Sequence, residues 1–383
     1  STLGVYNTIP AYEYSDKYNA MTTLYSNATQ LNPSIKPTIS TSYEVGTEFR
    51  LFDNRFWGDI NLYRRDTKNQ ILNMTVAPQS GYSSRQLNSG LVRNQGIEIS
   101  LGGSPIKTKD FQWNIDFNIA KNQNELVELN PDMKEYNLAS YKFSYWWYLK
   151  AIEGRPLGVI TSTYRWARNE EGKPILKATT SNAWGGGYQP TYDSTEKEEG
   201  TFQPDWTGGF STDFRYKNFR VAANFDFMVG GKMLSVTNMY GKASGMVKET
   251  ALLNDKGINE REPVLKGGGV RVDGVDTEGK PVTCYMNAYY YYNYTKYDLG
   301  AYIYDRSYLK MRELSVSYDL PRAFLKKAGV GLSNASISFV ASNPWLIYSA
   351  CPNVDPSESG SSWREGGQVG STRSFGLTVK LGF

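Results

Sequence analysis

The stretch Phe111-Gln112-Trp113-Asn114-Ile115-Asp116-Phe117-Asn118-Ile119-Ala120 alternates without a break. Phe111, Trp113, Ile115, Phe117 and Ile119 fall on one side of an extended chain and Gln112, Asn114, Asp116 and Asn118 on the other, because successive strand side chains point to opposite faces. One face is apolar and the other wet, over about the nine to eleven residues that a tilted strand needs to cross a bilayer. Residues 219 to 229 repeat the pattern, with Phe219, Val221, Ala223, Phe225, Phe227 and Val229 opposing Arg220, Asn224 and Asp226. So do residues 206 to 216, where Trp206, Phe210, Phe214 and Tyr216 oppose Thr207, Ser211, Asp213 and Arg215.

Weaker alternation occupies 43–52, 56–78, 92–103, 145–152, 158–167, 308–319, 334–343 and 370–383, so about eleven strands are expected from residue 43 onward. The first 42 residues are poorly patterned, with room for one or two more. Short connections (53–55, 104–110, 153–157, 217–218, 320–333) take turns with long ones (79–91, 122–144, 168–205, 231–305, 344–369). Short turns at one end and long loops at the other are the asymmetry of an outer-membrane barrel, whose last strand ends on the periplasmic side. A soluble antiparallel sandwich also alternates, but loops this long are uncommon in one. The Asp, Arg and Asn of the polar faces suit a wet lumen. The expected fold is all-β, a transmembrane antiparallel β-barrel wall with long extracellular loops. Asp116, Asn118, Asp213, Arg215, Arg220, Asn224 and Asp226 are expected to face its lumen, and Phe117, Phe214 and Phe225 the lipid.

Composition removes most other classes. The 383 residues carry 42 Lys+Arg against 38 Asp+Glu, and the formal charge of +4 is spread without basic clusters, so no nucleic-acid partner is expected. Histidine is absent, which eliminates Ser-His-Asp and Cys-His nucleophiles and His-ligated zinc. No enzyme, metal or cofactor is expected. Ser307 and Lys310 sit three apart on an alternating strand and so point apart, without the companion motifs of a serine acyltransferase. Gly241-Lys242 lacks the rest of a phosphate loop. Cys284 and Cys351 are read as free thiols, with one disulfide left open. No apolar run is long enough for a membrane-spanning helix, whereas barrel strands keep average hydropathy low, here −0.51.

Motifs add to the pattern. Leu31-Asn32-Pro33 followed by Tyr43-Glu44-Val45-Gly46, then Asn94-Gln95-Gly96-Ile97-Glu98 and Phe111-Gln112-Trp113-Asn114, resemble in order and spacing the strand entries of SusC/RagA-type TonB-dependent outer-membrane transporters. Glu153-Gly154-Arg155-Pro156-Leu157-Gly158, Pro204-Asp205-Trp206-Thr207-Gly208-Gly209-Phe210, Leu309-Lys310-Met311-Arg312-Glu313-Leu314 and Asn343-Pro344-Trp345-Leu346 continue the likeness, and Phe383 resembles the family's terminal assembly signal. Lys36-Pro37-Thr38 departs from it, where the family usually has Trp-Glu.

The resemblance implies that residues 1–383 are the C-terminal part of a 22-stranded barrel, with the plug domain and N-terminal strands outside this chain. It implies import of a bulky nutrient, a glycan or a peptide, across the bacterial outer membrane as a multi-pass protein. The implied partners are a SusD-like substrate-binding lipoprotein, TonB acting through the plug, outer-membrane lipid, and a second SusC–SusD pair in a dimer. A passive porin with the same wall is the alternative within the membrane, and a soluble or surface β-sheet binding protein the alternative outside it. In the expected loops, Trp184, Tyr188, Tyr289, Tyr290, Tyr291, Tyr292, Tyr294 and Tyr297 are candidates for substrate or partner contact, since tyrosine offers a rigid amphipathic face at low entropic cost. The other reading is a loop folded on its own side chains. The acidic stretch Asp273 to Glu278 lacks EF-hand spacing and reads as a solvated turn.

Overall fold

The computed structural model describes residues 12–18, 21–26, 28–130, 133–328, 331–359, 362–367 and 370–383. Nine long strands form one antiparallel sheet in which each strand pairs with its neighbour in the chain. They are β1 (Ile39–Leu51), β2 (Phe56–Thr75), β3 (Ser84–Lys107), β4 (Phe111–Glu128), β5 (Trp206–Tyr216), β6 (Phe219–Val229), β7 (Tyr308–Asp319), β8 (Asn334–Ser349) and β9 (Ser374–Gly382). A short parallel strand, Thr29–Gln30, pairs with Ser84–Arg85, and Tyr12–Tyr18 pairs with Met21–Ser26 in a separate hairpin. The sheet is open, with β1 and β9 as its two edges among the described residues.

The register carries the alternation across the whole sheet. Val45, Leu62 and Ile97 form one cross-strand row, and Phe117, Phe210 and Phe225 another on the same face. Val221, Val316, Phe339 and Leu377 continue that face to β9. It lies uncovered. Val45, Phe375 and Leu377 are among its exposed side chains, where a soluble sheet would bury them. Near the short-turn end, Phe111, Tyr216, Phe219 and Tyr318 make an aromatic row, with the last two rings 4.6 Å apart. Trp345 and Tyr348 lie exposed toward the other end. Such paired belts suit the two polar boundaries of a bilayer.

The connections separate by end. Residues 52–55, 108–110, 217–218 and the segment holding α3 (Arg322–Ala328) join strands at one end, and 76–83, 129–205, 230–307 and 350–373 at the other. Phe52, Asp53 and Asn54 all take left-handed φ, between 54° and 62°, which reverses the chain tightly between β1 and β2.

Two expectations need correction. The alternation reads residues 145–152 and 158–167 as wall strands and begins the long loops sooner. Instead β3, β4 and β8 run on past residues 92, 121 and 343, while Tyr145–Ile152 and Val159–Ser162 join Glu135–Phe143 and Lys197–Thr201 in a four-stranded sheet outside the wall. The reason is what covers their apolar face. Trp147, Leu149 and Ile160 pack against Leu234, Val236 and Met239 of α1 (Val236–Ala243) and its approach, Leu299 and Tyr302 further on, and Trp363 of the last excursion. The excursions 129–205, 230–307 and 350–373 therefore share one core and form a folded cap. Arg364–Glu365 pairs in parallel with Leu234–Ser235 to close it. The Glu153–Leu157 turn sits at the cap's base, where Gly154 donates its N–H to the Leu126 carbonyl and Leu126 donates to that of Arg155. No helix among the described residues is long and apolar enough to cross a membrane.

Candidate functional site: a polar wall face joined to an aromatic cap

The seven charged and amide residues singled out by alternation share one face of the sheet. Ser211 stands between Asp116 and Asn224, Gly209 between Asn118 and Asp226, and Arg215 between Gln112 and Arg220. Asp213 accepts from Asn114 at 3.3 Å and pairs with Arg220, which offsets the repulsion of the two facing arginines. Asp226 accepts two hydrogen bonds from Arg312, at 2.7 and 2.8 Å, and a third from the Tyr308 hydroxyl at 2.9 Å. Ladder bulges at Asn224/Phe225 and Met311/Glu313 free Arg312 from strict alternation and turn it toward Asp226.

Lys310 follows from the same face. Its ammonium is almost fully buried and donates to Asp355 (2.6 Å), Glu358 (2.9 Å), Ser371 (2.7 Å) and Ser357 (3.2 Å). The last excursion is thereby fastened to the polar face of β7. Burial works against the Asp355 carboxylate, but the bonds from Lys310 and Ser357 outweigh it and hold its pKa below the ordinary value. The Lys310 bond does the same for Glu358. In the sequence Lys310 stands only in a rejected acyltransferase spacing and in the Leu309–Leu314 motif, and neither announces this joint, because a lone lysine on a strand looks like any other polar-face charge.

The tyrosine run is a helix rather than an irregular loop. Its residues form α2 (Ala288–Thr295), started by Asn287, whose side-chain oxygen accepts from the N–H groups of Tyr289 and Tyr290. Trp184 is buried against Tyr290 and Tyr294, with ring centroids 6.1 and 5.1 Å away, in a core with Leu176, Val272, Cys284 and Met286 that Tyr188 also flanks. Tyr291 meets Trp166 edge-on, and the Tyr292 hydroxyl donates to Glu260 (2.6 Å) and to the Glu249 carbonyl. Burial and Glu260 raise the Tyr292 pKa. Tyr289 alone of the eight candidates is fully on the surface, 67% exposed.

Tyr297 leads to residues that the sequence reading passed over. Its ring lies 5.9 Å from Tyr145, which stacks on Tyr164 at 3.6 Å, which stacks in turn on Tyr192 at 5.0 Å. The chain of half-buried rings draws on four separate segments, so no local pattern announces it. The acidic stretch is a hairpin turn, in which Asp276 accepts from the N–H groups of Glu278 and Lys280, and Asp273 is held by Thr283 and Arg271. Both cysteines are free and buried. Burial pushes the Cys284 thiol up to about 11 and the Cys351 thiol up to about 12, which keeps them protonated and unreactive.

Residues 10–343 match the family described as TonB dependent receptor-like, beta-barrel. The chain belongs to that family. Among relatives of this TonB-dependent receptor barrel, TonB-dependent receptor P3 of Formosa agariphila is 28% identical over 339 residues, 85% of this chain and 31% of its own. TonB-dependent receptor SusC of Bacteroides thetaiotaomicron is 27% identical over 222 residues, 56% of this chain and 21% of its own. The solved RagAB peptide transporter superposes with a TM-score of 0.70 at 18% identity over 99% of this chain and 39% of that one. The receptor barrel chain thus spans well under half of these relatives, and it is a SusC/RagA-type barrel portion. The family is one of receptors and transporters, not of enzymes.

Proposed function

We propose that this chain is the C-terminal part of the barrel wall and the extracellular cap of an importer that takes up a bulky nutrient, a glycan or a peptide, across the bacterial outer membrane. The observation that carries the reading is the pairing of an uncovered apolar face over nine strands with a polar face to which a folded cap is bolted. The apolar face holds the wall in lipid, and strands beyond β1 and β9 complete the ladder, since unpaired backbone groups cost several kcal/mol each in lipid. Asp116, Asn118, Asp213, Arg215, Arg220, Asn224 and Asp226 line the hydrated path. The excursions 76–83, 129–205, 230–307 and 350–373 lie outside the cell. There a SusD-like lipoprotein delivers substrate to the aromatic cap, and TonB opens the path by pulling on a plug. Tyr289 and the edges of the Tyr145–Tyr164–Tyr192 stack offer the cap's contacts to a sugar ring or a peptide side chain. Phe383, 90% exposed beyond β9, serves as the assembly signal.

A cysteine at Leu265, fully exposed in the cap, tests the topology, because Cys284 and Cys351 are buried and give little background. It should react with an impermeant maleimide on intact cells. Reaction only after the outer membrane is broken would overturn the orientation. Uptake of a labelled oligomer that survives loss of TonB would replace the importer with a porin.

A further inference from the structure

Near the short-turn end the uncovered face is not smooth. β3 leaves its ladder with β4 between Gly103 and Ile106, and the gap becomes a groove of about 610 Å³, within the size range of roughly 300–1,000 Å³ typical of ligand sites. Phe52, Phe56, Leu101, Ile115 and Phe117 wall it, and Gly102 and Gly103 form its floor. Phe56, Leu101, Ile115 and Phe117 belong to the apolar face, so a chain lying in the groove meets hydrocarbon on most sides. Arg55 stands at its end, and its guanidinium makes no hydrogen bond or ion pair among the described residues.

The surrounding rim has a sign. The short connections and strand ends there carry Arg55, Lys107, Lys109, Lys217, Arg322, Lys326 and Lys327 against Asp53, Asp110 and Asp319. None of these seven cations is in an ion pair among the described residues. Of the other wall cations, Arg220 pairs with Asp213 and Arg312 with Asp226, while Lys121 and Arg215 are in no ion pair among the described residues. An apolar groove that ends on a free arginine, inside a basic rim at the aromatic boundary, has the complement of one amphiphile.

We infer that the groove between β2 and β4 holds a single anionic phospholipid, with an acyl chain along Leu101, Ile115 and Phe117 and its phosphate on Arg55. The inference rests on the membrane reading above and adds to it a discrete site in the leaflet nearer the short turns. A stave of lipid there fills the notch that the bulge leaves in the wall.

The test uses the protein extracted from outer membranes in mild detergent, titrated with phosphatidylglycerol or with phosphatidylcholine and read by native mass spectrometry. The wild type should retain one phosphatidylglycerol in preference to phosphatidylcholine. Arg55→Gln should weaken retention about five-fold, the effect of losing one basic side chain at an anionic lipid surface, and Arg55→Lys should restore most of it. Heat-modifiable migration of each variant shows that it has folded. Equal retention by wild type and Arg55→Gln, or indifference to headgroup, would overturn the site while leaving the barrel intact. Release of the protein by salt alone, without detergent, would overturn the membrane reading itself.

Discussion

The wall and the cap are written in the same alphabet and solve opposite problems. Phe111 to Ala120 in β4 alternates apolar with polar residues, and Tyr145 to Ile152 in the cap keeps a weaker form of the pattern, with Tyr145, Trp147, Leu149 and Ala151 on one face and Lys150 on the other. In β4 the apolar side chains point to an uncovered face, whereas Trp147 in the cap is completely buried. A strand's alternation states that one face avoids water, and it leaves open whether lipid or protein supplies the shelter. The wall draws on a solvent and the cap on a core, so their responses to mutation should differ in kind.

The largest effect is expected where the cap is sheltered by protein. Trp147→Ala should remove about 3–5 kcal/mol from the cap, the usual cost of a deleted aromatic in a packed core. Hydrogen exchange should speed up at Leu234, Met239 and Leu299 while the heat-modifiable wall survives. Loss of the wall together with the cap would mean that the two fold as one unit.

In the wall the decisive change is a charge. Phe225→Lys puts an ammonium on the apolar face and should cost about 2–4 kcal/mol near the bilayer midplane, while Asn224→Lys, on the polar face beside Glu313, should cost far less. Outer-membrane yield measures the difference, and equal tolerance would favour a soluble sheet.

Acid should loosen the joint between the two regions. Asp355 and Glu358 have folded pKa values below their ordinary ones, so their contribution is complete above the ordinary carboxylate range and fades as pH falls through the lowered values. Exchange at Ser357, Glu358 and Ser359 should quicken on acidification before exchange in β7 does. A Lys310→Met variant should show that mobility already at neutral pH.

The smallest effect concerns α2. Asn287→Ala removes its cap and should cost about 1 kcal/mol, seen as faster exchange at Tyr289 and Tyr290 with Trp184 fluorescence nearly unchanged. Collapse of the whole cap would show that the tyrosine helix holds more of it than its packing suggests.

Much of the wall was legible because its physics is local. Phe117, Phe225 and Asp226 declare their faces by parity alone, and the register places them accordingly. Tyr145 to Ile152 misled because the same parity serves a core assembled from residues up to about two hundred positions away, such as Trp363. The tyrosine run was noticed for its composition, but whether it lay open or folded inward depended on Trp184 and Trp166, which reach it from another excursion.

By itself, then, the sequence determined that the chain is strand after strand with one apolar and one polar face, because a period of two needs only neighbouring residues. It also ruled out histidine chemistry by composition. Tertiary structure alone decided which strands belong to the wall and which to the cap, that Lys310 joins the two, and that a free arginine closes a groove beside a bulge. Those outcomes depend on which distant surface meets each face, and a face's polarity does not specify its partner.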